Sequence, residues 1–487
     1  MAGGTFRARA RKALENPRLR RAVRVTMNNF MSARRAAMAE LAQLAREGLA
    51  LGDFAAMRER ARAIKQHTLD HLDHYLARAA TAIGERGGHV HFAAGAHEVG
   101  EIVREIARRR GVTLAVKSKS MATEEVHLNR ALQADGIEVV ETDLGEYIIQ
   151  LAGETPSHIV GPAIHKTREE IAQLFGRVVG RELSTDTPTL TGVARQVLRE
   201  KFVRAGMGIS GANFVVAETG TLCIVTNEGN GRLVTSAPPV HVAVVGIEKL
   251  VPTLADLYVF LGLLARSSTG QKISVYTHMI TGPRRPGEAD GPEELHVIFL
   301  DAGRSDILGT EYQEVLHCIR CGACLNHCPV YRQTGGHAYG AVYSGPVGTV
   351  LTPLLGEFRD WKDLPAEACS LCAACWEACP VGIPLHDLIL KHRQKTAREG
   401  LDQSGLGGPL RLGAAAWTKP WAYRLSVRVG RLALRWFARE EEGGRRWAVK
   451  APGPLRAWTE GRDLPAPPEK SFRELWAEHL RERGQRA

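Results

Sequence analysis

Two runs of the chain, CIRCGACLNHCP at 318–329 and CSLCAACWEACP at 369–380, repeat one spacing, C-x2-C-x2-C-x3-C-P, and take eight of the nine cysteines. Eight thiols fixed this way must converge on a shared centre, and that constrains the fold more than any other feature. A cubane iron–sulfur cluster needs one thiolate per iron. Three cysteines two residues apart wrap a loop around one cube, and the fourth points elsewhere. Paired sets with this spacing ligate crosswise. The expectation is one 4Fe-4S cluster on Cys318, Cys321, Cys324 and Cys379, and a second on Cys369, Cys372, Cys375 and Cys328. Pro329 and Pro380 end each short helical approach and remove an N–H beside the cluster. Structural zinc uses two C-x2-C pairs and would leave the third cysteine of each triplet idle. Disulfides do not suit a chain that shows no signal sequence. The ninth cysteine, Cys223 in the apolar stretch GTLCIVT, reads as a buried, inert thiol rather than a nucleophile.

With 487 residues, 44% hydrophobic and 24% charged, the chain is expected to form two or three globular domains. The longest apolar stretch, 243–265, is interrupted by Glu248, Lys249, Pro252 and Asp256, so no membrane span is expected. The N-terminus shows no apolar signal-peptide core, which points to a cytoplasmic protein. Its Arg-rich, acid-poor start also resembles a transit peptide but reads more simply as a basic helix. The net charge of +11 sits at the two ends: residues 1–50 carry an excess of eight positive charges and residues 401–487 an excess of seven. No zinc-finger, helix-turn-helix or RNA-binding signature accompanies them, so no nucleic acid is expected. An acidic protein partner, an anionic membrane surface or plain solvent fits such ends.

Four sections follow from the texture. Residues 1–85, rich in Ala, Arg and Leu, read as a basic helical section. Residues 86–305 alternate strand-like runs (HVHFAA, VTLAVKS, IEVVETD) with helical ones (96–111, 123–136, LGEYIIQLA), followed by SHIVGPA at 157–163. From Gly206 onward come ANFVVAETGTLCIVTNEGN, HVAVVGI, KISVYTHMI and LHVIFLD, strand-like runs with a helix at 253–267 among them. Alternation of this kind predicts an α/β layer on a largely parallel sheet. Residues 306–400 hold the cysteines and read as helical, and 401–487 as a Trp-rich basic helical tail.

The forty residues between Cys328 and Cys369 are too many for a compact hairpin ferredoxin and resemble the helical two-cluster modules of fumarate/succinate and heterodisulfide reductases. The stretches SKSMATEEVHLNRAL, IEVVETDLGEYIIQLAGETPSHIVGPAIHKT and ANFVVAETGTLCIVTNEGNGRLVTSAPPVHVAVVGIEKLVPT look like a lactate-utilisation domain. Together with GGHAYGAVYSGPVG and the Trp-rich tail, the chain resembles the LutB-type lactate-utilisation iron–sulfur proteins over roughly residues 20–440. The resemblance implies an α/β domain similar to the sugar-phosphate isomerase and CoA-transferase superfamily. It further implies an electron-transfer subunit of an L-lactate-oxidising complex, with two partners: a cysteine-rich heterodisulfide-reductase-like subunit and a second lactate-utilisation-domain protein. The residues alone do not specify lactate. Oxidising a 2-hydroxy acid removes two electrons, cubanes carry one each, and no G-x-G-x-x-G opens a helix after a strand. A flavin or other two-electron centre is therefore expected on a partner or at a site without a recognisable motif.

In the α/β section Glu218 is the candidate catalytic carboxylate, heading a Gly- and Thr-rich turn. Asn227, Glu228, Gly229, Asn230, Gly231 and Arg232 form a candidate anion loop, or else a tight turn. Lys117, Lys119 and Ser120 follow a strand and suit a carboxylate or phosphate, or a solvated loop. His165 and Lys166 are weaker candidates. His317, His327 and His337 flank the cysteines, as cluster-tuning groups or plain shell residues. The tail at 411–439 has the composition of an interfacial or partner-docking helix, with packing on its own cysteine module as the alternative. Two competing functions stand beside the leading one: an electron-transfer scaffold without a substrate site, and acyl or CoA chemistry in the α/β domain.

Overall fold

The structure is a computed structural model that describes residues 4–356, 358–401, 407–440, 446–448, 453, 456–459 and 464–484. The chain divides into two compact units at residue 401.

Four helices open the first unit: α1 (Phe6–Leu14), α2 (Pro17–Arg46), α3 (Phe54–Asp70) and α4 (Leu72–Glu85). Thr5, Asn16 and Asp53 cap the first three by accepting from a first-turn amide. The alternating region runs β1 (His89–Ala93), α5 (Ala96–Arg109), β2 (Leu114–Lys117), α6 (Met121–Glu125), α7 (Leu128–Ala134), β3 (Glu138–Glu141) and α8 (Leu144–Ala152). SHIVGPA is not a strand but a loop closed by Ser157 N–H donating to Pro162 O at 3.0 Å. Next come α9 (Arg168–Val179), α10 (Thr187–Arg204), β4 (Met207–Ser210), β5 (Phe214–Val216), β6 (Thr221–Thr226), α11 (Asn230–Ser236), β7 (Val240–Gly246) and β8 (Leu250–Val251). The region ends with α12 (Leu254–Ser268), β9 (Tyr276–Ile280) and β10 (Glu294–Leu300).

Six strands form one wholly parallel sheet in the order β1-β10-β7-β4-β2-β3. The period-two alternation of strands sets its two faces. Ala115 and Val139 pack with Val99, Val103 and Leu132 of α5 and α7, while Leu114, Val116 and Val140 pack with Tyr147, Phe175 and Leu198 of α8 to α10. Burial on both faces explains why β7, VHVAVVG, is buried at every position. The chain turns outward from β2 to β3 and returns on the other side as β4. The carboxyl ends of β2 and β4 therefore flank a topological switch point, where open α/β sheets bind ligands.

The apolar runs from Phe214 onward do not all join this sheet. A second sheet, β8-β5-β6-β9, has β6 antiparallel to both neighbours and β5 parallel to β8. Gly220, at φ +66, closes the β5–β6 turn against α4, where a Cβ would lie 2.7 Å from Ile83 N.

The cysteine region is built of short helices: α13 (Ala323–His327), α14 (Tyr331–Thr334), α15 (Gly345–Leu355), α16 (Phe358–Trp361), α17 (Asp363–Glu367), α18 (Ala374–Ala378) and α19 (Leu385–Arg398). It has no separate core. Phe6, Met27 and Leu41 of the opening helices, Phe214 and Phe260 beside the second sheet, and Tyr331, Tyr339 and Leu388 belong to one apolar cluster.

The second unit holds α20 (Gly407–Trp417), α21 (Pro420–Phe437), β11 (Arg439–Glu440), β12 (Arg446–Ala448), α22 (Arg456–Thr459), β13 (Leu464–Pro465) and α23 (Phe472–Glu482). The three strands form a small antiparallel sheet, an addition to the helical tail expected from sequence. Residues 402–406, 441–445, 449–452, 454–455, 460–463 and 485–487 of that tail lie outside the described residues.

Candidate functional site

The two cysteine loops are one local structure used twice. Arg320 (φ +58) and Gly322 (φ +75) are left-handed in the first loop, and Leu371 (φ +55) and Ala373 (φ +62) take the matching positions in the second. These turns aim amides at sulfur: Arg320 N–H meets Cys318 Sγ at 3.4 Å and Leu371 N–H meets Cys369 Sγ at 3.2 Å. The fourth cysteines are matched as well, with Tyr331 and Ile383 donating to Cys328 and Cys379 Sγ at 3.5 and 3.4 Å. Hydrogen bonds to cluster sulfur stabilise its charge and are one lever on its potential.

Cys318, Cys321, Cys324 and Cys379 line one small cavity together with Ile319, Leu325 and Ile383. Cys328 does not line it. Cys328 instead feels the charges of Cys369 and Cys372, and Cys375 feels those of Cys328, Cys369 and Cys372. Cys324 is within range of Cys375 as well as of Cys318, Cys321 and Cys379. Burial pushes the Cys328 and Cys379 thiols up to about 11 and Cys375 to about 12, so ligation must displace their protons. Among the described residues no three His, Cys, Asp or Glu side chains converge to hold a single metal ion. The donor set, the inward amides and the apolar enclosure fit iron–sulfur cubes.

A larger cavity, about 350 Å³, opens at the carboxyl ends of β2, β4 and β7. It is lined by Lys119 and Ser120 after β2, Asn213 after β4, Glu248 and Lys249 after β7, and by Arg320 and Cys321 of the first cysteine loop. A buried ion network forms its floor. Glu248 Oε2 accepts from Arg304 Nε at 2.7 Å, and Oε1 lies 3.4 Å from Arg320 Nη2. Arg304 also donates to both oxygens of Glu125, at 2.9 and 2.8 Å. Tyr343, from the GGHAYGAVYSGPVG linker, donates to Glu125 and lies under Arg320, 4.3 Å from guanidinium to ring centroid. Lys65 of α3 donates to Glu248 O, and burial lowers its ammonium to about 7.

Of the sequence candidates, Lys119, Ser120, Asn227, Glu228, Asn230 and Gly231 line this cavity. The loop reading of 227–232 needs correction: Asn230 and Gly231 start α11, and Arg232 on that helix is exposed. The helix forms there because Asn227–Gly229 already complete the turn, with Glu228 N–H bonded to Thr226 Oγ1 at 3.1 Å. Lys117 is fully buried against Glu141 and Asn129, away from the cavity. Glu218 also stands apart, exposed, with Oε2 accepting from Leu254 N–H at 3.3 Å at the start of α12. His165 and Lys166 both pair with Glu154, and His337 donates to Thr155 O at 2.7 Å. His317 is buried beside Gln66, and burial with Lys65 and Arg62 keeps it neutral, near 3. His327 Nδ1 is bonded to Ala323 O at 2.9 Å. Cys223 is fully buried, its thiol raised to about 12 by burial.

The sequence reading missed Glu125, His158, Glu248, Lys249, Arg304, Arg320 and Tyr343. His158 joins the SHIVGPA loop to the cysteine region. Its Nδ1 accepts from the amides of Val160 and Gly161, so Nε2 carries the proton bonded to Asn326 Oδ1 at 3.2 Å.

Comparison with known families agrees with this arrangement. The LUD domain family matches residues 76–300, and the 4Fe-4S dicluster domain family matches 314–383. Lactate utilization protein B of Bacillus licheniformis is 46% identical over 485 residues, covering 99% of this chain and 98% of that one. Lactate utilization protein B of Geobacillus kaustophilus is 48% identical over 454 residues, covering 92% and 94%. A DUF162 family protein from Deinococcus radiodurans aligns in structure over 47% of this chain and 98% of its own, at 14% identity and a TM-score of 0.27. Similarity to curated relatives from end to end, with both domain matches, means that the chain belongs to the lactate utilization protein B family.

Proposed function

We propose that the chain is the iron–sulfur electron-transfer subunit of a cytoplasmic multi-protein complex that oxidises L-lactate to pyruvate. The observation that carries this reading is the sorting of eight cysteines into two adjoining sets within a core shared with the lactate-utilisation domain. In this reading Cys318, Cys321, Cys324 and Cys379 hold one 4Fe-4S cluster, and Cys369, Cys372, Cys375 and Cys328 hold the other. Each cluster, when bound, carries one electron at a time. L-lactate gives up two electrons and two protons on becoming pyruvate, and a pair of one-electron centres matches that stoichiometry. The chain's own residues bury Cys324, Cys328, Cys375 and Cys379 and present amides to Cys318, Cys328, Cys369 and Cys379. Arg34 and Arg58, from α2 and α3, place positive charge beside the first set. The partners in this reading are a cysteine-rich heterodisulfide-reductase-like subunit and a second lactate-utilisation-domain protein, with any flavin or other two-electron centre on one of them.

Anaerobically prepared full-length chain should contain about eight iron and eight sulfide. L-lactate should bleach its visible absorption when the two partners are present. About four iron per chain, zinc in place of iron, or clusters that stay oxidised in the assembled complex would overturn the reading.

A further inference from the structure

The cavity at the switch point is not accounted for by electron transfer alone. Its acidic groups are already satisfied by the protein. Glu248 is held by Arg304 and Arg320, Asp143 Oδ1 accepts from the amides of Gly145 and Glu146, and Glu228 Oε2 accepts from Leu144 N–H at 3.2 Å. Its cations keep donors to spare. Arg320 Nη1 and Lys119 Nζ are buried without a hydrogen-bond partner. Lys249 makes no hydrogen bond and no ion pair within 4 Å among the described residues. The carboxylate in contact with Lys119 is Glu146, whose Oε1 lies 3.8 Å from Nζ, beyond hydrogen-bond distance. Buried cationic donors left without an acceptor are costly unless something anionic reaches them.

The position of these cations is informative. Arg320 lies between Cys318 and Cys321 in the chain, and Cys321 itself forms part of the cavity wall. Part of the lining is apolar, from Met121, Ile224 and Leu264. A guanidinium with one free N–H edge suits a carboxylate, and the apolar lining suits a short alkyl group attached to it.

We infer that this cavity binds a small carboxylate of the 2-hydroxy or 2-oxo acid class, with Lys119, Lys249 and Arg320 as its charge partners, directly against the first cysteine set. The inference rests on the electron-transfer reading for the identity of the acid, and it places the acid on this chain rather than only on a partner. Arg320 and Cys321 line the same cavity, so an acid held at Arg320 would share that cavity with a residue of the first cysteine set. Lys119, Lys249 and Arg320 are positioning residues in this scheme.

The test uses the full-length chain prepared anaerobically, with pyruvate and L-lactate as probes and inorganic phosphate as competitor. Calorimetry should show pyruvate binding, and the paramagnetic spectrum of the reduced first cluster should shift on addition. Lys119→Met and Lys249→Met should each weaken binding at least tenfold at unchanged iron and sulfide content. Absence of both heat and spectral shift, wild-type affinity in both variants, or phosphate binding as tightly as pyruvate would overturn the inference. The iron count of the same sample judges the electron-transfer reading separately. Full clusters without acid binding would sink the cavity and spare that reading, whereas lysine-dependent binding to an iron-poor chain would do the reverse.

Discussion

Arg304 and Glu248 are joined by a 2.7 Å bond between Nε and Oε2, and each side chain is only 2% exposed. Burial by itself would raise the Glu248 carboxyl, but Arg304, Lys249 and Arg320 hold it far below the ordinary carboxylate range. The pair ties the end of β7 to the first cysteine loop through Arg320. Breaking one partner of a buried pair leaves the other uncompensated, at a cost of about 3–5 kcal/mol. Glu248→Gln should therefore lower the unfolding free energy by about that amount, read from denaturant midpoints. The sign of the pH dependence follows from the lowered folded-state value. The stabilisation is complete above the unfolded carboxyl pKa, about 4.3, and is lost as pH falls through the lower folded value. The gap between wild type and Glu248→Gln should thus stay constant above about pH 5 and close on acidification.

Crossed ligation makes a pair of opposite predictions. Cys379→Ser should damage the cluster that carries Cys318, Cys321 and Cys324, because Cys379 lines their cavity. Cys328→Ser should damage the one that carries Cys369, Cys372 and Cys375, whose charges it shares. Paramagnetic resonance on each variant separates the two spectra. Damage confined to the set nearest in sequence would show that each loop ligates its own cube.

The charges around the two sets are unequal. Arg34 feels Cys321 and Cys379, Arg58 acts on Cys379, and Lys65, Lys249 and Arg320 all feel Cys318. On the second set Arg393 acts on Cys369. Cations stabilise the reduced, more negative cluster, so the first should titrate at the higher potential. Arg34→Met should lower that potential by tens of millivolts and leave the second unmoved, as measured by a redox titration followed by paramagnetic resonance.

What the sequence makes legible are patterns carried by near neighbours. The cysteine spacing is one, and the apolar runs of β7 and β10 flanked by helices are another. Long-range convergence is not legible in the same way. Glu248 and Lys249 stand out in sequence as charges within an apolar stretch, but their partners Arg304 and Arg320 lie 56 and 72 residues from Glu248. Glu218 and Glu228 look alike as carboxylates in Gly-rich turns. The direction of the β5–β6 hairpin decides that Glu228 lines the cavity while Glu218 caps α12. The second sheet is hidden for a related reason, since its strands read like those of the first and only their pairing differs.

The matching left-handed positions, Gly322 and Ala373, predict an asymmetry. A Cβ at Gly322 would lie 2.7 Å from Ile159 Cγ2, in addition to the strain of φ +75. Gly322→Ala should destabilise the chain by more than about 1 kcal/mol and loosen the loop over the larger cavity. Ala373 already bears the left-handed strain, at φ +62, so Ala373→Gly should be neutral or stabilising by up to about 1 kcal/mol. Thermal unfolding with iron content held equal compares the two. Equal destabilisation by both would refute the asymmetry and remove left-handed strain at Ala373 as its cause.

Helix α21 buries none of its residues. Trp421, Leu425, Val429, Leu432 and Trp436 follow one another at intervals of three or four and are all exposed, from 55% to 86%. Arg424, Arg428, Arg431 and Arg435 follow the same spacing on the adjoining face. Arg431 and Arg435 pair with Glu474 and Glu469 within the same unit, while Arg424 and Arg428 have no ion-pair partner among the described residues. A stripe of Trp and Leu beside a stripe of Arg is the composition of a helix lying in a membrane interface. Among the described residues no helix is long and apolar enough to cross a membrane. The full chain should sediment with vesicles rich in anionic lipid and be released by high salt. Exchanging Arg424 and Arg428 for Gln should cost about 1 kcal/mol each in vesicle affinity, and Trp421→Ala with Trp436→Ala should abolish binding that survives salt. No sedimentation at low salt would assign the stripe to a protein partner, and binding equally strong to neutral vesicles would remove the arginines from the account.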